Sequence, residues 1–223
     1  MGVISSARIC EHNGSAMRWV VAVFMTLLAL WMASPVYAAG DEASAYVQNV
    51  GDQALAVISN KALSKDQKQA GLEKIFGDNV DFPWIGRFVM GRYWREATPD
   101  QKTRYVAEYQ KFEILHYTSR FTNYTGGSVK VTSDKDDGNG EYTVSMQMQS
   151  DDANSEPVLV DYRVRKNTNK PGFKIFDVIV EGVSLLTTQR SEFTAVLNDK
   201  GIDYLIDQLA KKPPEDDASV GKN

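Results

Sequence analysis

Cysteine and histidine are almost missing from this sequence. The 223-residue chain carries one cysteine, Cys10, and two histidines, His12 and His116. That count excludes a disulfide framework, a cysteine-rich zinc site and a multi-histidine metal centre. Positive charge is not in surplus either. Lys and Arg total 25 against 29 Asp and Glu, a formal net charge of −4, which argues against a nucleic-acid backbone as partner. No G-x-S-x-G nucleophile elbow occurs anywhere in the chain, and no internal repeat is visible. What is present is an ordinary globular balance, 43% hydrophobic and 24% charged, at a length that suits one or two domains.

The longest apolar run, Trp19 to Met32, falls short of the about 20 residues that span a bilayer. Arg8 and Arg18 precede it, and Ser34-Pro35-Val36-Tyr37-Ala38-Ala39 follows. A basic start, a short apolar stretch and a small-residue exit make the layout of a secretory signal peptide. Cleavage after Ala38 sets Val36 and Ala38 at the two small-residue positions. Residues 1–38 are therefore expected to be removed on export, and with them go Cys10 and His12. The expected remainder is one domain over residues 39–212, followed by a disordered polar tail over 213–223.

Within that domain the first signals are helical. Val47, Val50, Ala54, Val57 and Ile58 recur at helical spacing. Ser64 followed by Gln67 is a capping-box start, and the helix it opens uses Leu72, Ile75 and Phe76 and is expected to stop at Gly77. Asp81 is a candidate N-cap for a short helix carrying Phe82, Ile85, Phe88 and Val89, with Gly91 at its end. Thr98-Pro99-Asp100-Gln101 is the clearest start of all and predicts a helix running to about Asn123.

The hydrophobic period then changes from 3.6 to 2. Val129 and Val131 alternate with polar residues, as do Tyr142, Val144, Met146 and Met148, and then Val158, Val160, Tyr162 and Val164. Phe173, Ile175 and Val178 to Val180 make a fourth run. Turn-rich separators lie between them, so the pattern predicts a four-stranded antiparallel meander with one apolar face. After Gly182 helical spacing returns, through Leu186, Phe193, Val196 and Leu197 to Gly201, and again through Ile202, Leu205, Ile206 and Leu209. The fold class is α+β: N-terminal helices, a curved four-stranded sheet and C-terminal helices.

Catalytic chemistry finds little to work with. His116 is the one conventional base left after the leader, and it sits mid-helix between Leu115 and Tyr117. The acidic run Asp134 to Glu141 does not make a calcium loop. Counting from Asp134, Gly138 falls at position five and Ser145 at position twelve, where a turn Gly at six and a bidentate Glu at twelve are required. A hairpin turn accounts for it. Asn123-Tyr124-Thr125 matches a glycosylation acceptor, a pattern too short to carry weight.

Aromatic residues are concentrated instead. Phe82, Trp84, Phe88, Tyr93 and Trp94 are followed on the long helix by Tyr105, Tyr109, Phe112, Tyr117, Phe121 and Tyr124. Two arrangements satisfy this. The rings form a closed core, or helices and sheet wall an apolar cavity with Met146 and Met148 as adaptable lining. In the second, the apolar strand face is expected to curve against the helix carrying Tyr105, Tyr109 and Phe112, with residues 82–94 at the mouth or wall.

The segment Asp81-Phe82-Pro83-Trp84-Ile85-Gly86-Arg87-Phe88-Val89-Met90-Gly91-Arg92-Tyr93-Trp94-Arg95-Glu96-Ala97-Thr98-Pro99, with Val160-Asp161-Tyr162-Arg163-Val164 and Val180-Glu181-Gly182-Val183-Ser184-Leu185, resembles the MlaC family of periplasmic phospholipid-binding proteins. The likeness covers roughly residues 41–212. It implies an α+β fold around a deep apolar cavity that takes the acyl tails of a glycerophospholipid, and no catalytic residue or cofactor. It also implies a monomeric periplasmic carrier that shuttles lipid between an inner-membrane ABC transporter with an MCE-domain component and an outer-membrane lipoprotein complex. A related hopanoid-associated group shares the pattern, which makes another lipid the alternative cargo, and a non-lipid periplasmic interaction module is the alternative that a closed core would serve. On this reading the lipid-contacting candidates are Phe82, Trp84, Ile85, Phe88, Val89, Tyr93, Tyr105, Tyr109, Phe112, Tyr142, Val144, Met146, Met148, Val160, Tyr162, Val164 and Val180.

The leader generates a first test. Intact-mass measurement of the exported protein should find Ala39 at the N-terminus, and retention of Met1 would overturn the reading.

Overall fold

The computed structural model describes residues 39–121, 127–151, 156–168 and 172–211. The leader, the acceptor at 123–125 and the tail from 213 lie outside the described residues. Helix α1 (Ala39–Ser59) is followed by α2 (Lys65–Asn79), α3 (Phe82–Met90), the single turn α4 (Tyr93–Glu96) and the long α5 (Pro99–Phe121). Strands β1 (Gly127–Gly138), β2 (Glu141–Ser150), β3 (Val158–Lys166), β4 (Phe173–Val180) and β5 (Val183–Ser184) come next, and α6 (Leu185–Leu209) closes the order.

Local chemistry explains most helix boundaries. At α2 the Ser64 hydroxyl accepts from the Gln67 amide at 3.2 Å, and Gln67 Oε1 accepts from the Ser64 amide at 2.9 Å. Thr98 and Gln101 make the same reciprocal pair at α5. Helix α2 runs through Gly77 to Asn79 rather than stopping. The Val80 amide still reaches the Phe76 carbonyl at 2.9 Å, and Asn79 Nδ2 donates to the Ile75 carbonyl at 2.8 Å, so the last carbonyls are satisfied without a left-handed glycine. The two C-terminal helical patterns are halves of α6, bent where Gly201 leaves helical geometry at φ 82°.

The sheet is antiparallel in the order β1-β2-β3-β4-β5, so it has five strands where the sequence pattern predicts four. The fifth is two residues long, too short to show alternation. It exists because Glu181 and Gly182 take positive φ, 50° and 80°. That tight turn folds Val183 back onto Val180. Gln48 covers the outer edge of β1: its side-chain amide donates to the Val129 carbonyl at 3.1 Å and accepts from the Val131 amide at 2.7 Å. Gln48 thereby occupies the edge groups of Val129 and Val131 that another strand could otherwise pair with.

Two apolar clusters divide the core. In one, Phe82, Val89 and Met90 of α3, Tyr105 and Tyr109 of α5, and Leu186, Phe193, Leu197, Leu205, Ile206 and Leu209 of α6 surround Phe176. In the other, Ala43 and Val47 of α1 pack on Tyr142, Val144, Met146, Val164, Phe173 and Ile175 of the sheet. A bulge in β4 opposite Arg163 and Val164 lets adjacent residues serve different clusters, Ile175 the sheet side and Phe176 the helical side.

Asp81 joins the two. Its amide donates to the Ile175 carbonyl at 2.9 Å, its Oδ1 accepts from the Trp84 amide at 3.2 Å, and its Oδ2 accepts from Arg165 Nη2 at 2.6 Å. The Arg165 guanidinium lies 4.3 Å from the Trp84 ring centre. Asp81→Ala removes the cap and the ion pair together and should lower unfolding stability by roughly 2–4 kcal/mol. Asp81→Asn keeps the cap and should lose the smaller part. Denaturant titration of both variants measures the split.

A buried carboxylate makes the helical cluster sensitive to pH. Glu113 is 3% exposed; Gln189 Nε2 donates to it at 2.6 Å, and the Tyr109 hydroxyl donates to Gln189 Oε1 at 2.7 Å. Burial raises its pKa from 4.5 to about 7, opposed by the Gln189 hydrogen bond and assisted by Glu192. The folded state therefore holds a proton that the unfolded chain has released, and this contribution is lost as pH rises from 4.5 through about 7. The full swing is roughly 3 kcal/mol. Glu113→Gln should flatten that decline and raise the denaturation midpoint above neutral pH; an unchanged pH profile would refute the assignment.

Candidate functional site

The sheet's apolar face is covered by α1 and α2, while α5 packs against α3 and α6. The expected partner, the helix of Tyr105 and Tyr109, has its buried face occupied already. The Tyr105 hydroxyl donates to the Gly86 carbonyl at 3.1 Å, and the Tyr105 and Tyr109 rings stack at 5.5 Å.

Helix α1 has two halves with different tasks. The first is fixed: the Ser44 hydroxyl donates to Asp134 Oδ1 at 2.9 Å, Gln48 grips the β1 edge, and Ala43 and Val47 are buried on the strands. The second half is held over the sheet without filling the space beneath it. A cavity of about 120 Å³, open to solvent, lies there. Val47, Val50, Gly51, Ala54, Leu55 and Ile58 of α1 line it at helical spacing, as do Leu72, Ile75, Phe76 and Asn79 of α2. Val80, Val129 of β1, Met146 and Met148 of β2, Tyr162 of β3, and Ile175 and Val178 of β4 complete the wall.

Small residues make this space. A Cβ added to Gly51 would stand 2.9 Å from Met146 Cε and 3.2 Å from Val129 Cγ2, so any side chain there enters the cavity wall. The wall is almost free of polar groups. Asn79 is engaged: its Oδ1 accepts from the Tyr46 hydroxyl at 3.0 Å and its Nδ2 caps Ile75. Burial pushes the Tyr46 phenol up, and it pushes Tyr162 up to about 12. Both are neutral at physiological pH. Among the described residues no group of His, Cys, Asp and Glu converges to hold a metal. His116 stacks on Phe112 at 5.8 Å and meets the edge of Tyr117 at 5.2 Å, a packing environment. Such a site can hold an apolar chain.

Of the residues singled out from sequence, the cavity gathers Met146, Met148 and Tyr162. Tyr142, Val144 and Val164 share the same sheet face but lie in the closed cluster under the first half of α1. Val160 is buried, and Val180, its register partner, is half-buried on that face. Phe82, Val89, Tyr105 and Tyr109 are buried in the helical cluster, with Trp84, Ile85, Phe88, Tyr93 and Phe112 packed against it; none of these nine lines the cavity. The α1 and α2 linings carry a sequence signal, an apolar helical stripe interrupted by Gly51 and Ala54. That stripe is too thin in volume to close against a sheet.

Residues 48–211 match the sequence model of a family described as MlaC protein. The "Intermembrane phospholipid transport system binding protein MlaC" of Haemophilus influenzae is 24% identical over 131 residues, 58% of this chain. The chain spans 61% of that relative's length. The "Toluene tolerance protein ttg2D" of Pseudomonas putida is 26% identical over 174 residues, 74% of this chain and 79% of that protein. Among solved structures, the phospholipid-binding protein of Ralstonia solanacearum, in complex with a phospholipid, superposes with a TM-score of 0.63 at 25% identity, covering 76% of this chain and 99% of that one. The matched residues run from α1, through every strand, past the end of α6: the chain belongs to the MlaC family.

Proposed function

We propose that this protein is a periplasmic phospholipid carrier that takes acyl chains into the cavity between α1, α2 and the sheet and shuttles lipid between an inner-membrane transporter complex and an outer-membrane one. The observation that carries the reading is a solvent-open cavity whose lining is apolar apart from Asn79 and Tyr162. The phospholipid in the Ralstonia structure and the name of the Haemophilus relative support it.

The physics of such a task is simple. Two acyl chains hold about 30 methylenes, so exposing them to water would cost roughly 24 kcal/mol at about 0.8 kcal/mol each. A cavity that resembles bilayer interior removes most of that penalty at both ends of the journey. Direction can then be set by small differences in affinity at each membrane. The headgroup can remain in water at the mouth, so the site needs no basic pocket.

Organic extraction of the purified protein followed by mass spectrometry should recover phospholipid; a lipid-free, fully folded protein would overturn the reading. A variant locates the site. Gly51→Leu drives a side chain against the movable end of Met146 while replacing a poor helix former by a good one, a gain of up to about 1 kcal/mol. The variant should remain folded, the helix gain offsetting part of the crowding against Val129 Cγ2, and carry much less lipid. Gln147→Glu, on the opposite face of β2, should retain it.

A further inference from the structure

Tyr162 stands out within the cavity. Its register partners are Val144 on β2 and Val178 on β4, so its ring lies on an apolar floor. Asn79, the other polar side chain of the wall, is committed to Tyr46 and to the Ile75 carbonyl. The Tyr162 hydroxyl makes no hydrogen bond with any described residue, and it is not sealed from the cavity as a buried orphan. A phenol on a strand face surrounded by valine and methionine has a cheaper alternative, phenylalanine, which would fill the same space without a polar group needing a partner.

Resting on the carrier reading above, we propose that Tyr162 is a specificity-determining residue: its hydroxyl donates a hydrogen bond to an oxygen acceptor of the bound lipid. The acceptor is an ester carbonyl at the glycerol or an oxygen of the headgroup phosphate; both are good acceptors for a neutral phenol. The group is a donor throughout the physiological range, since burial keeps it protonated. An apolar wall grips any hydrocarbon of suitable width and cannot distinguish one from another strongly. A single positioned donor can. It rewards a lipid that brings an acceptor to that depth and leaves a plain hydrocarbon, such as a polycyclic one, without that gain. It also fixes how far the chains slide inward, because the acceptor must stop at Tyr162.

The test compares Tyr162→Phe with the unaltered protein on three probes of matched chain length. These are a diacyl phosphatidylglycerol, its dialkyl ether analogue, which keeps the phosphate and lacks both carbonyls, and a fluorescent hydrocarbon with neither group. Binding is measured by titration with delipidated protein, with denaturant unfolding as the check on the fold. If an ester carbonyl is the acceptor, Tyr162→Phe weakens the diacyl lipid by roughly three- to tenfold and leaves the ether lipid unchanged. If phosphate is the acceptor, diacyl and ether lipids weaken together while the hydrocarbon does not. Either result sustains the proposal and names the atom. Equal affinities of the two proteins for all three probes would overturn it. So would an equal loss on all three, which marks Tyr162 as packing alone. Failure of the unaltered protein to bind the diacyl lipid at all would instead strike at the carrier reading itself.

Discussion

Everything in this fold hangs on the seam at Asp81. One residue gives its amide to the Ile175 carbonyl of β4, one carboxylate oxygen to the first turn of α3 and the other to Arg165 of β3. The guanidinium it holds then lies against Trp84 and Phe176. A short helix cannot dock itself: α3 is nine residues long, and isolated helices of that length are marginal in water. Docked by Asp81, it presents Phe82, Val89 and Met90 to α5 and α6 and so completes the helical cluster. The bulge at Phe176 belongs to the same device, because it turns one ring of the sheet towards that cluster while Ile175 stays with the other.

This separation allows one half of the molecule to be tight and the other to be open. The helical cluster is dense with rings at stacking and edge distances, among them Trp84 with Phe88, Tyr105 with Tyr109 and Tyr109 with Phe193. It touches the cavity through Phe76 and Val80, which pack on the cluster and also line the cavity wall. The sheet side is fixed at one end of α1 and left underfilled at the other, where Gly51 and Ala54 stand in place of large residues. An underfilled apolar space lacks the contacts that a native core would make, and a guest chain can supply them. Met146 and Met148, unbranched and adaptable, sit at that surface.

Much of the architecture was legible in the sequence, and the parts that were not share a cause. Ser64 with Gln67 and Thr98 with Gln101 announce helix starts because capping is local chemistry. The alternation through Tyr142 to Met148 and Val158 to Val164 announces strands because their faces differ in burial. The two-residue strand after Gly182 and the bulge at Phe176 leave no periodic trace. Nor does periodicity say which helix lies on which face. The apolar stripe of α1 was visible, yet its destination depends on Ser44 and Gln48 meeting β1 residues more than 80 positions away. The crowd of aromatics draws the eye to residues 82–112, but large rings fill space. The cavity is written in small residues, and an absent side chain is a weaker signal than a present one.

The burial of the sheet's apolar face gives the site a polarity of its own. Along β2, Tyr142, Val144 and Met146 are buried and Met148 is half-buried; along β3, Val164 is fully buried, whereas Val158, opposite Met148, is 45% exposed. The closed end is the one that α1 grips with Ser44, at Asp134 opposite Val144, and the face opens towards Met148 and Val158. On the carrier reading, chain ends belong at the gripped end and the headgroup at the open one. The reverse would bury a charged phosphate among valines, several kcal/mol uphill. Orientation then needs no dedicated headgroup pocket. On that reading, a site closed at one end and apolar apart from Asn79 and Tyr162 takes a two-tailed amphiphile chain ends first.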